Sequence, residues 1–177
     1  MTTTLLEHCT CDNTPIFSLD GRTVPTKVVS VYDGDTVTLA LALSPGQLFK
    51  FKARLSGIDT PEIRPRRIQP NRDAEKKAAK YCRNRLLQLV TDQTIDLYTD
   101  YSKKELKTIL NNNKKIIWAR CGAFGKFGRP LIKLFLNEED LCDKTKSVNK
   151  LLIREGLAYR YHGGKKEADF TTYFSAF

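Results

Sequence analysis

The chain has 177 residues, 41% of them hydrophobic and 10% aromatic, with 30 Lys and Arg against 20 Asp and Glu, a net charge of +10. That length holds one domain with a true core and excludes two of ordinary size, and the apolar share excludes a disordered chain. The basic excess points to polyanionic partners, nucleic acid before acidic membrane surfaces. No apolar run is long enough to cross a bilayer, and residues 1–17 are polar and broken by Pro15, so no secretory signal is read and an intracellular protein is expected. The five cysteines, Cys9, Cys11, Cys82, Cys121 and Cys142, lack the doubled C-x-x-C spacing of a zinc site. Cys82 and Cys121 lie in apolar patterns and are expected to be small core residues.

In chain order, residues 1–25 read as an extension. The β-branched run 27–32 predicts a strand, and Asp33-Gly34-Asp35 supplies a turn, Gly and Asp tolerating positive φ. Val37, Leu39, Leu41 and Leu43 alternate with smaller residues at a period of two, Ser44-Pro45-Gly46-Gln47 turns the chain, and Phe49, Phe51, Ala53 and Leu55 alternate with Lys50, Lys52 and Arg54. That is a three-stranded antiparallel meander. Residues 63–72 form a basic loop, and a helix follows over 73–90, with Ala78, Cys82, Leu86, Leu89 and Val90 at helical spacing and Asp73 as N-cap. A strand is predicted at 94–98, then a polar insertion or hairpin tip over 100–115. Two further strands, 116–121 and 131–136, flank a glycine-rich turn, and a short helix over 147–155 ends at Gly156. Residues 157–161 read as extended. The pattern is mainly β with flanking helices (α+β), an OB-fold-like five-stranded barrel spanning 26–164 with an aromatic tail over 165–177.

Three acids, Asp33, Asp35 and Asp59, stand at strand ends. Asp35 opens the second strand, Asp59 closes the third, and the hairpin between them returns to the same edge. Each alone fits plain turn chemistry. Together they can converge on one hard divalent cation, with the Thr60 carbonyl as a further ligand. Glu62, one proline beyond, can address an adjacent water or remain a solvated loop carboxylate. Arg54 shares a basic stripe with Lys50 and Lys52, useful for backbone contact with nucleic acid. Arg129 ends the glycine-rich turn.

The motifs D-G-D-T at 33–36, R-L-S-G-I-D-T-P-E at 54–62, K-F-G-R-P-L at 126–131 and L-I-R-E-G-L-A-Y at 152–159 occur in this order. In them the chain resembles the thermonuclease, or staphylococcal nuclease, family over roughly residues 26–164. The resemblance implies a five-stranded OB-like barrel with flanking helices. It also implies calcium-dependent hydrolysis of phosphodiesters in DNA or RNA, with little sequence preference and 3′-phosphate products. Magnesium or manganese are the alternative cations. The implied catalytic set is Arg54, Glu62 and Arg129, and the implied metal ligands are Asp35, Asp59 and the carbonyl of Thr60. Lys126, Tyr159 and Tyr161 are candidate substrate contacts; the family's tyrosine spacing is not reproduced here, and the two rings can either stack bases or pack in the core or rim. Phe127 stands where the family usually has tyrosine, so a phenolic hydroxyl able to bond phosphate is missing. A monomer is expected. A different class of function on the same fold is a nucleic-acid-binding module without catalysis.

Overall fold

The computed structural model describes residues 2–69, 71–164 and 166. Strands β1 (Thr23–Val31), β2 (Thr36–Ser44) and β3 (Gln47–Leu55) form the expected antiparallel meander. Strands β5 (Ile117–Phe124) and β6 (Pro130–Phe135) complete a closed barrel in the order β1-β2-β3-β6-β5. Closure needs one parallel pairing, β3 with β6, in which Arg54 lies beside Leu131 and Leu55 beside Ile132. A separate two-stranded ribbon joins β4 (Ile58–Asp59) to β7 (Tyr159–Arg160). The fold is the OB-like barrel that the alternation predicted.

Period-two patterning builds the core. Val28, Val31, Val37, Leu39, Leu41, Ala53, Leu55, Ile117, Ala119, Ile132 and Leu134 point inward and are buried; each Leu or Ile there contributes about 1.5–3 kcal/mol relative to exposure. The distal part of the β2–β3 hairpin projects past this core, leaving Leu48 and Phe49 exposed. Phe17, from the extension that also carries the short helix α1 (Thr2–Glu7), stacks on Phe51 with ring centroids 6.5 Å apart.

Helix α2 (Arg72–Val90) packs Ala78, Ala79, Cys82, Leu86, Leu87 and Val90 against the barrel. Its N-cap is Asn71 in the left-handed region, without a side-chain capping bond. Asp73 therefore stands inside the first turn, where it pairs with Lys76 at 2.9 Å. Helix α4 (Val148–Arg154) is tied in by Asn149, whose Nδ2 donates to the carbonyls of Ser56 (2.9 Å) and Ile132 (3.0 Å) while its Oδ1 accepts from Leu134 N–H (3.2 Å).

Two sequence expectations fail between α2 and β5. Residues 94–98 are not a strand: Asn84 Nδ2 donates to the carbonyls of Leu97 (3.0 Å) and Thr99 (2.8 Å), and Asp96 caps Tyr98 N–H and the Thr99 hydroxyl. Side chains have taken the groups a sheet ladder would use. The polar stretch 100–115 is not a hairpin tip but helix α3 (Lys103–Asn112). A reciprocal capping box starts it, Ser102 Oγ accepting from Glu105 N–H and Glu105 Oε2 accepting from Ser102 N–H. Leu106, Ile109 and Leu110 form the apolar face it lays on the core.

Candidate active site

The β2–β3 register sets Thr36 opposite Arg54, and Leu55 N–H donates to the Asp35 carbonyl at 2.7 Å. Asp35 and Arg54 are thus neighbours by strand pairing alone. Arg54 Nη1 donates to Asp35 Oδ1 at 2.9 Å, and Nη2 makes a short contact with Asp59 Oδ1. One guanidinium therefore bridges the two acids that the sequence placed at adjacent strand ends. Gly57, at φ +76°, turns the chain from β3 into β4 and so brings Asp59 back beside Arg54.

The D-G-D turn is built for closeness rather than for unusual φ. Asp33 Oδ1 accepts from Asp35 N–H at 3.2 Å, which fixes the turn. Gly34 is outside the positive-φ set, but a Cβ there would stand 2.2 Å from Cys82 Sγ and 2.9 Å from Thr60 Cγ2. The glycine is required by the helix thiol pressed beneath it. Cys82 is fully buried as expected, and burial, with the Asp35 and Asp33 charges, pushes its thiol well up. Cys121 is buried too.

Electrostatics concentrate at this floor. Burial and the neighbouring Asp33 charge push the Asp35 carboxyl well above the usual carboxylate range, against the pull of Arg54. Burial also raises Asp33. Burial works against the charge on Arg54, but Asp35 and Asp59 outweigh it and hold the guanidinium above its ordinary value. The remaining Asp59 oxygen, Oδ2, accepts from the Tyr159 hydroxyl at 2.7 Å.

A cavity of ≈ 980 Å³ opens over this floor, lined among others by Arg54, Glu62, Lys126, Phe127, Arg129 and Tyr161. The turn at 125–129 is closed by Gly125 N–H on the Arg129 carbonyl at 2.8 Å. It sets Arg129 Nη1 3.5 Å from Thr36 Oγ1, so the second guanidinium, just ahead of β6, reaches past β3 to the start of β2. Phe127 is 76% exposed at the rim, with the Arg129 guanidinium 5.8 Å from its ring centroid. Tyr32 and Lys52 form a second such pair, 5.7 Å apart, on the same cavity.

The structure thus gathers Arg54, Glu62, Arg129, Lys126 and Tyr161 around one opening, with Asp35 and Asp59 buried in contact with Arg54. It does not offer Tyr159 as a stacking ring: this side chain is only 7% exposed and holds Asp59 instead, edge-on to Tyr161. Two residues outside the sequence-derived set belong to the site. Glu75 is buried on α2 and accepts from Glu62 N–H at 3.1 Å; burial raises its carboxyl. An acid on the stripe 75-78-79-82-86 of an otherwise apolar helix face was the available signal. Lys166 Nζ lies 2.6 Å from Glu62 Oε1 and 3.0 Å from Asp59 Oδ1. Nothing in its polar surroundings in the sequence marks it.

Among the described residues no group of three or more His, Cys, Asp and Glu is arranged to hold a metal ion. The expected donors are the buried carboxylates of Asp35 and Asp59, beside buried Asp33, and the oxygens of Thr60, whose Oγ1 is buried with no hydrogen-bond partner. This all-oxygen set does not form a closed protein cage. It does fit a hard divalent cation that keeps part of its water.

Residues 52–175 match the family model for staphylococcal nuclease homologues. The chain belongs to that family. No curated protein matches the sequence. In this staphylococcal nuclease homologue the matched stretch includes Arg54, Asp59, Thr60, Glu62 and Arg129, whereas Asp33 and Asp35 precede it and enter the site through the β2–β3 pairing. Among the described residues no helix is long and apolar enough to cross a membrane.

Proposed function

We propose that this protein is a calcium-dependent nuclease that hydrolyses phosphodiester bonds in DNA or RNA with little sequence preference, leaving 3′-phosphate ends. The observation that carries this reading is the Arg54 guanidinium bridging Asp35 and Asp59 on a cavity shared with Glu62 and Arg129. Asp35, Asp59 and the Thr60 carbonyl would hold the cation, which when bound polarises a phosphoryl oxygen and offsets its charge. Arg54, anchored by two buried acids, presents fixed positive charge to a phosphate in the cavity. Arg129 supplies a second guanidinium, so two planar donors face the charge that builds on phosphorus. Glu62, half-exposed at the rim, is placed to orient and deprotonate the attacking water.

Substrate grip follows from the rim. Lys126 is exposed for phosphate contact, and Phe127 and Tyr161 are the aromatic faces on which bases can stack. The net charge of +10 supports nucleic acid as the partner. A monomer suffices, since every residue invoked comes from one chain.

The test is degradation of plasmid DNA and of RNA by purified protein with calcium and with chelator. Glu62→Ala and Arg129→Ala should each lower the rate by about 10²–10³. Nucleic-acid binding that persists with no calcium-stimulated cleavage would replace this reading with that of a binding module on a nuclease fold.

A further inference from the structure

Asp59 is more crowded than a waiting metal ligand should be. Its Oδ2 accepts from the buried Tyr159 hydroxyl, and its Oδ1 meets two cations, the Arg54 guanidinium and the Lys166 ammonium at 3.0 Å. A carboxylate oxygen has two lone-pair directions, so both of those on Oδ1 are committed. The same ammonium lies 2.6 Å from Glu62 Oε1 and so ties together one expected metal ligand and the expected general base.

We propose that Lys166 is the resident counter-cation of this pocket: its ammonium takes the place a divalent cation needs against Asp59 and Glu62, and cation loading is an exchange that expels it. A cation about 2.3–2.6 Å from Asp59 Oδ1 must take a lone pair now used by nitrogen. Of the two nitrogens, that of Lys166 is the one to leave. The Arg54 side chain is 15% exposed and forks over two acids, whereas Lys166 is 41% exposed on a four-carbon stem. Two positive groups sharing one oxygen also repel each other strongly at this depth. Before loading, the lysine offsets part of the repulsion among the buried acids and keeps Glu62 paired. After loading, Glu62 is free to turn to water. Lys166 thereby sets the affinity of the site for its cation.

This proposal rests on the nuclease reading, and its test separates the two. Calcium binding is measured by titration calorimetry on the full chain without nucleic acid, for the wild type and for Lys166→Met. The substitution should tighten the calcium Kd on the order of tenfold. Independently, chemical labelling of amines read by mass spectrometry should show Lys166 becoming several-fold more reactive (on the order of the same coupling) on adding calcium but not sodium chloride of equal ionic strength. An unchanged or weaker Kd in Lys166→Met, labelling indifferent to calcium, or no calcium binding by either protein overturns the exchange. If calcium binds the wild type and drives cleavage while Lys166→Met shifts nothing, only the exchange is lost. If the exchange is seen and no phosphodiester is cut, the exchange stands and the nuclease reading falls.

Discussion

Gly34 shows how little room the acidic turn has. Gly34→Ala drives a methyl into Cys82 Sγ, which would stand 2.2 Å away, and against Thr60 at 2.9 Å. The variant should be destabilised by about 1–3 kcal/mol, as overpacking of a filled site is. Adding Cys82→Ala removes the worse clash and should recover part of the loss, leaving the Thr60 contact. Chemical denaturation of the single and double variants measures both effects. Asp35 gives a prediction of opposite sign. Its carboxyl is raised by burial and by Asp33, so the fold favours its protonated form, and the stability it contributes is lost as pH rises through the raised value. Metal-free Asp35→Asn should therefore melt above the wild type at alkaline pH, with the gap shrinking as pH falls through the raised value. The same variant should lose cleavage, a trade of activity against stability at a site of crowded buried charge. A melting temperature below wild type at alkaline pH would contradict this.

Among the elements, those that repeat a pattern were legible and those held by single side chains were not. The meander could be read because Val37, Leu39 and Leu41 alternate over a whole strand, and that periodicity survives into the buried face. Residues 94–98 have strand-like composition, but the amide of Asn84 and the cap of Asp96 satisfy their backbone, and no period reveals that. The helix α3 was legible in principle, since Ser102 and Glu105 spell a capping box, yet the run Asn111-Asn112-Asn113 reads as a turn. At the site, Asp35, Asp59 and Arg54 could be placed together from strand ends and turns. The hold of Tyr159 on Asp59 and the place of Lys166 could not, because each acts through a contact made across the fold, and Glu75 left only its position on an apolar helix face as a signal. Asn149 is the element-scale test of what positions the site. It joins α4 to Ser56 at the end of β3 and to the β6 backbone through three bonds. Asn149→Ala leaves those buried groups unpaired and should cost about 1–3 kcal/mol, read by denaturation.

At the scale of the whole molecule, one barrel closure assembles the site. The parallel β3–β6 pairing sets Arg54 beside Leu131, two residues after Arg129, so both guanidiniums reach the cavity only when the barrel is shut. The excess of 30 Lys and Arg over 20 Asp and Glu then predicts how substrate is met. Affinity for nucleic acid in chelator should fall steeply and linearly in log–log terms with salt, with a slope of about −0.7 to −0.9 per phosphate contacted; Lys126→Ala should reduce that slope by about one contact. The most direct test of the nuclease reading is a calcium titration of cleavage on a defined oligonucleotide, with the new ends identified chemically. Cutting should be absent in chelator and should saturate with calcium, with products ending in 3′-phosphate. Cutting indifferent to chelator, or saturating calcium with intact oligonucleotide, would contradict that reading.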